Sequence, residues 1–340
     1  MVSYFLVALK FAIVSISIYL ILALVLVGTQ RISAAVFKGS LDFDAAQANV
    51  ASDPGLIHYR AHDGAQLGLR RFAPQKDQNP LVILLHGSGW HGGAYVALGE
   101  ALNEQLGYEV LIPDLRGHGP DPIRRGDLDY IGQFEDDLAD LIKTYRGKDR
   151  PAYLVGHSSG GGLAIRFAGG KHGHLVSRAV LIAPYLSHDA PTARQDGGNW
   201  AKVLLRRTIG LSMLNAVGVR AFNHLHMIQF NFPKAVLDGP NGHSATQSYS
   251  FRLNTSFAPR RPLERDVAAL PDFLLIAGQE DDAFDASAYE TTLSAITTNG
   301  HYQLVAGASH LGVLYDDRVH EAISQFLNRE NSDFIFLKAL

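Results

Sequence analysis

Short apolar runs and longer helical patterns take turns along most of this chain. Leu81–Leu85 (LVILL) and Glu109–Pro113 (EVLIP) are joined by residues 152–155 (AYLV), 179–182 (AVLI), 273–276 (FLLI) and 302–305 (YQLV). Runs with so little polar alternation predict strands buried on both faces, as in a parallel sheet. Between them, residues 95–106, 130–145 and 319–327 place apolar side chains about a turn apart. In the second, Ile131, Phe134, Leu138, Leu141 and Ile142 make one stripe. Residues 55–74 read as two short strands about the turn Asp63-Gly64. Strands alternating with helices predict an α/β fold, a mostly parallel sheet with helices on both faces.

The alternation fails in two places. Residues 185–262 hold no clean buried strand but carry Trp200, several aromatics, Arg206, Arg207 and Arg220. The stretch is too long for an ordinary loop, so a helical cap over the carboxyl edge of the sheet is expected. The other exception is the N-terminus. Residues 11–27 (FAIVSISIYLILALVLV) carry no charge, residues 4–9 are apolar too, and only Lys10 interrupts. Seventeen helical residues rise about 25 Å, near the lower limit for crossing a hydrocarbon core. Including residues 4–9 makes the span comfortable, with the Lys10 amine reaching toward the headgroups. No polar face marks it as a core helix. An uncleaved membrane anchor over residues 1–30 is expected, with the rest of the chain on the exported side, although Lys10 on one flank and Arg31 and Lys38 on the other leave the positive-inside rule nearly balanced. The competing reading is a cleaved signal peptide ending near Ser33-Ala34-Ala35. Residues 31–54 read as a connector, 55–330 as the main domain and 331–340 as a tail.

Composition narrows the chemistry. Of 340 residues, 47% are hydrophobic and 19% charged, a mix that suits a globular enzyme with one apolar segment. The formal net charge of -3 offers no basic excess for nucleic acid. With 0 cysteines, disulfides, thiolate metal sites and a cysteine nucleophile are excluded.

Four short motifs follow predicted strands. Gly156-His157-Ser158-Ser159-Gly160 comes directly after AYLV and before a helical pattern. A nucleophilic serine at the top of a sheet sits on a sharp strand-to-helix turn that tolerates only small residues two positions away. That turn leaves the Ser159 N–H aimed where an oxyanion forms. His86-Gly87-Ser88-Gly89 follows LVILL, and the Ser88 N–H is the second candidate donor. Trp90 and His91 come next and are expected to line the pocket. No carboxylate cluster accompanies His86 and His91, so no metal is implied, and the chemistry of a serine nucleophile needs no cofactor. Gly307-Ala308-Ser309-His310 follows YQLV. Serine needs an imidazole to take its proton, and His310 completes the order serine, acid, histidine. His172, His174 and His301 are expected at the surface. The acid comes from Gly278-Gln279-Glu280-Asp281-Asp282, after FLLI. A buried carboxylate there fixes the imidazole tautomer. The residues alone do not choose between Asp281 and Asp282.

Together with Asp114-Leu115-Arg116-Gly117-His118-Gly119, these placements resemble the α/β-hydrolase family over about residues 55–330. The family's Gly-x-x-Asp spacing falls on Gly278 and Asp281, so the resemblance selects Asp281 as acid and leaves Asp282 as the alternative. A serine nucleophile sets the chain apart from the epoxide-hydrolase and dehalogenase branches, which place Asp there. His-Gly-Ser-Gly departs from the His-Gly-Gly-Gly loop of one lipase and esterase branch. The chain looks closer to monoacylglycerol lipases, lysophospholipases and serine aminopeptidase-like hydrolases. The resemblance implies ester hydrolysis through an acyl-enzyme, with a small-molecule or lipid-like ester as substrate. An amide or peptide hydrolase with the same triad is the rival enzyme, and a catalytically silent binding module the rival outside enzymes.

Overall fold

The computed structural model describes residues 2–32, 41–43, 53–147, 150–194 and 200–329. The Ser33-Ala34-Ala35 triplet and the 331–340 tail lie outside the described residues. Helix α1 (Val2–Gly28) comes first, then β1 (Ile57–Arg60), β2 (Gln66–Phe72), β3 (Leu81–Leu85), α2 (Val96–Leu106) and β4 (Glu109–Pro113). Next come α3 (Gln133–Tyr145), β5 (Ala152–His157), α4 (Ser159–Ala168) and β6 (Arg178–Ile182). The intervening region holds β7 (Ala201–Val203), α5 (Leu205–Ala216), β8 (His226–Phe230), α6 (Lys234–Leu237), β9 (Ser248–Ser250), α7 (Phe251–Phe257) and α8 (Leu263–Ala268). The chain then closes with β10 (Asp272–Gly278), α9 (Tyr289–Ser294), β11 (Gly300–Val305) and α10 (Asp317–Asn328).

Eight strands form one sheet in the order β1-β2-β4-β3-β5-β6-β10-β11. Strand β2 runs antiparallel to both neighbours, and the six strands from β4 to β11 run parallel. Every residue of β3 is buried. Leu81, Ile83 and Leu85 join the core under α3 and α4, while Val82 and Leu84 join the core under α2 and α10. An unbroken apolar run is what a strand covered on both faces requires. The helix expected over 130–145 begins at Gln133, because Gly132 caps it at φ 100°. Ile131 leaves the stripe and packs with α5 instead.

The stretch expected as a helical cap also contains a three-stranded antiparallel sheet, β7-β8-β9. These strands are three to five residues long, partly exposed and bulged between His226 and Ile228. Such strands give no apolar run for a periodicity argument to find. The cap docks directly on the loop after β3: Thr246 donates its N–H to the Gly89 carbonyl at 2.7 Å.

The apolar N-terminal segment is one helix, long and apolar enough to cross a membrane over Tyr4–Gly28 (mean hydropathy 2.7, 11% buried). Only its last turns are covered. Ala23 and Val27 pack on Leu211 and Leu214 of α5. A Cβ on Gly210 would lie 2.6 Å from the Ala23 carbonyl oxygen, so glycine lets the two helices approach. Tyr19 donates its hydroxyl to the Met213 carbonyl at 3.0 Å, and Arg206 donates its N–H to Gln30 Oε1 at 3.1 Å.

Candidate active site

Ser158 sits between β5 and α4 with φ 54° and ψ −120°, a region that disfavours any side chain. Holding a non-glycine residue there costs about 1–3 kcal/mol, which the surrounding structure must offset. Its N–H donates to Ile182 at 2.9 Å, and its carbonyl accepts from Gly162 and Tyr185. The flanking glycines are required by space. A Cβ on Gly156 would come 2.3 Å from the Gly160 carbonyl oxygen, and one on Gly160 would come 2.2 Å from that of Leu85. The turn is therefore sharp enough to bring α4 hard against β3 and to lift Ser158 to the sheet's carboxyl edge.

Asp281 and His310 arrive at the same edge from the ends of β10 and β11. His310 donates from Nδ1 to Asp281 Oδ2 at 2.9 Å, with both side chains buried. The other carboxylate oxygen of Asp281 accepts the N–H groups of Ala283 and Phe284, each at 2.8 Å. Burial pushes the Asp281 pKa up. The His310 imidazole and the two backbone donors outweigh it and hold the carboxyl below the usual range. Asp282 does something else. Its Oδ1 accepts the backbone N–H of His310 at 3.2 Å, and its Oδ2 accepts the N–H of Asp42 at 3.1 Å. The two adjacent acids thus divide the loop between them, one on the ring and one on the main chain. The His310 ring also meets Phe284 edge-on at 5.2 Å and His157 at 4.6 Å between centroids.

The Ser88 and Ser159 hydroxyls meet at 2.6 Å, which brings the loop after β3 beside the start of α4. Among the described residues, neither the Ser88 N–H nor the Ser159 N–H has an acceptor within the protein. Trp90 lines the cleft with Ser158 and His310. His91 does not: it is buried behind Trp90, ring on ring at 5.1 Å, and caps the next turn by accepting the Gly93 N–H at 3.1 Å. His172 and His301 are half-buried against Asp136 and Asp272, at 2.9 and 3.0 Å, and His174 is exposed.

Two tyrosine–histidine relays hold the loop, and neither was visible in the sequence. Gly87 donates its N–H to the Tyr95 hydroxyl at 2.9 Å, and that hydroxyl donates to His157 Nδ1 at 2.9 Å. His157 Nε2 in turn donates to the His310 carbonyl at 2.9 Å. Burial, with His310 close by, drops the His157 pKa to about 3, so the ring is neutral and its one N–H is committed. In the second relay, Gly89 donates to the Tyr249 hydroxyl, which donates to His118 Nε2 at 2.6 Å. His118 is likewise held neutral by burial, well below its ordinary pKa. His118 belongs to the Asp-x-Arg-Gly-His-Gly turn. In that turn Asp114 accepts the Gly92 N–H at 2.8 Å, and Arg116 grips Asp137 through two bonds of 2.7 and 2.8 Å. The partners lie up to 160 residues apart, which no local pattern records.

The cleft above Ser158 is a cavity of about 50 Å³. Its walls are Leu41, Phe43, Trp90, Trp200, Phe232, Leu311, Leu314 and the serine and histidine edge, with no carboxylate among the described lining residues. His86 is buried at the base of the loop, with its pKa lowered to about 4 by desolvation, and its ring bonds only Gly87 and Leu115. Among the described residues there is no group of three metal-ligating side chains.

Residues 76–316 match the family described as serine aminopeptidase, S33. Monoglyceride lipase of Homo sapiens is 30% identical over 169 residues, 47% of this chain and 51% of that protein. Phospholipase YtpA of Bacillus subtilis is 29% identical over 106 residues, 31% of this chain and 40% of that protein. The chain therefore matches about half the length, or less, of these curated relatives. Among solved structures, a soluble variant of monoglyceride lipase from Saccharomyces cerevisiae, in complex with a substrate analog, superposes with a TM-score of 0.62 at 19% identity. That match covers 86% of this chain and 98% of the other, and shows the same fold.

Proposed function

The chain belongs to the serine aminopeptidase S33 family of α/β-hydrolases, and from that premise we propose that it is a serine hydrolase of carboxylic esters. The observation that carries the proposal is the buried 2.9 Å bond from His310 Nδ1 to Asp281 Oδ2, beside a serine on a strained turn. In this reading Asp281 fixes the tautomer that leaves Nε2 of His310 free to accept a proton. The Ser158 hydroxyl oxygen attacks the ester carbonyl carbon as its proton passes to Nε2. The carbonyl oxygen becomes an oxyanion, held by the N–H groups of Ser88 and Ser159. His310 then gives the proton to the leaving alkoxide, and an acyl-enzyme remains. Water repeats the sequence and frees the acid and Ser158.

The substrate class in this reading is a lipid-like ester such as a monoacylglycerol or a lysophospholipid. The aromatic and aliphatic cleft walls favour it. An aminopeptidase needs an anion for the substrate's ammonium group, and the described lining offers no carboxylate. Helix α1 tethers the enzyme to a membrane, with residues 31–54 as connector, 55–330 as the catalytic domain and about 185–262 as its cap.

The test is the Ser158→Ala chain, in detergent, against the unmodified one. The unmodified chain takes up a fluorophosphonate probe and hydrolyses p-nitrophenyl esters. The variant keeps the same thermal transition and does neither. Normal turnover by the variant rejects the assignment. Faster cleavage of amino-acid anilides than of fatty-acid esters rejects the ester reading.

A further inference from the structure

Residues 41–43, which lie between the N-terminal helix and the first strand in sequence, sit at the catalytic cleft. Leu41 and Phe43 are 5% and 8% exposed, and both line the cavity that holds Ser158 and His310. Phe43 packs against both Trp200 and Phe232, with ring centroids 5.7 Å from each. Phe232 in turn lies on Trp90 at 5.5 Å and crowds Gly89, where a Cβ would come within 2.7 Å of its ring. Asp42, between the two apolar residues, is pinned by its backbone to Asp282 Oδ2 at 3.1 Å. The other oxygen of that carboxylate holds the His310 main chain. One side chain thus spans this segment and the base.

The space left over is small. A cavity of about 50 Å³ falls well short of the roughly 300 Å³ at which pockets for drug-sized ligands begin. A short acyl group fits beside Ser158 with little change. A long one, as in the lipid-like esters proposed above, enters only where those apolar walls give way. Of those walls, Leu41 and Phe43 stand on the short segment that precedes the sheet, while the others belong to the cap or to loops of the sheet itself.

We propose that Leu41 and Phe43 are specificity-determining residues, the end wall of the acyl site that sets the acyl chain length this enzyme takes. The proposal rests on Ser158 being the nucleophile of an ester hydrolase. The acyl chain runs from Ser158 along the Trp90, Trp200 and Phe232 surface and meets Phe43. A residue of the stretch between α1 and β1 is in this way part of the substrate site.

The experiment compares kcat/KM on p-nitrophenyl butyrate and p-nitrophenyl laurate for the full chain, in one detergent, with Phe43→Ala, Phe43→Leu and Phe43→Trp. Shortening the side chain is expected to raise the laurate-to-butyrate ratio by about tenfold or more, the scale on which a pocket methylene group discriminates. Phe43→Trp is expected to lower it. A merely structural role for Phe43 changes both substrates together and leaves the ratio alone. If Phe43→Ala lacks a cooperative thermal transition, Phe43→Leu carries the comparison. An unchanged ratio in the folded variants of an active enzyme overturns this proposal alone. An unmodified chain that neither takes up fluorophosphonate nor hydrolyses either ester removes the hydrolase reading, and this inference with it.

Discussion

The Tyr95 hydroxyl donates to His157 Nδ1 at 2.9 Å while accepting the Gly87 N–H, so one phenol ties the loop after β3 to the serine turn. Through His157 Nε2 the same line reaches the His310 carbonyl. Three segments that carry the proposed chemistry are thereby joined without any of the reacting atoms taking part. Tyr95→Phe leaves a buried N–H and a buried ring nitrogen without partners, at a cost of about 1–3 kcal/mol for each unsatisfied group. A fall in kcat of about tenfold, with KM little changed and a lower Tm, is expected. Steady-state kinetics and a thermal melt measure both, and full kcat in the variant would show that the relay does not position the loop.

The two neighbouring acids should separate cleanly on substitution. Asp281→Asn removes the anion that holds the His310 tautomer, and a loss of about 10⁴ in kcat is expected from the behaviour of such triads. Asp282→Asn keeps an oxygen that accepts the His310 N–H, so a loss of about tenfold or less is expected. Ester turnover by the two purified variants is the measurement. The reverse order of damage would move the role of acid to Asp282.

Acid should unfold the protein in a defined window. Burial holds His86 and His91 near 4 and His157 near 3, against about 6.5 in the unfolded chain. Below about pH 6.5 the unfolded chain binds protons that the folded one refuses, so stability is complete above that pH and declines as pH falls toward 4. Each such histidine contributes a slope of about 1.4 kcal/mol per pH unit. Urea unfolding at pH 7, 6 and 5 should therefore show a decline steeper than a single histidine gives. A flat profile would mean these rings are not held neutral.

Gly160→Ala tests the turn itself. The added methyl meets the Leu85 and His86 carbonyl oxygens at 2.2 and 2.7 Å, and both are backbone of β3 and its loop. Since neither can step aside cheaply, a loss of about 1–3 kcal/mol or failure to fold is expected, with esterase activity falling further than stability. Wild-type melting and turnover in this variant would mean the strand and helix are not in close approach.

Much of the frame could be read from residue patterns, for a physical reason. A strand covered on both faces must be apolar throughout, and Leu81–Leu85 and Glu109–Pro113 nearly are. The glycines at 156 and 160 were equally legible, since nothing larger fits there. What residue patterns alone left open was settled by distance in space. Asp281 and Asp282 are adjacent carboxylates on one turn, and only the loop's path decides which meets a ring and which a main chain. Tyr249 looks like any cap aromatic until the fold sets it between Gly89 and His118. His91 sits next to Trp90 in sequence, yet its ring turns behind the indole toward Asp114. The cap strands are too short and too mixed in polarity to announce themselves, and Leu41 and Phe43 lie in a stretch that reads as plain connector.

The notch at Gly210 decides where a pull on the leading helix is felt. Ala23 and Val27 grip the cap, not the central strands that carry Ser158. Whatever fixes α1 in place therefore fixes the roof, and the platform that carries Ser158 hangs from it. Any swing of that roof that admits a bulky molecule is then a movement of the platform relative to its mooring.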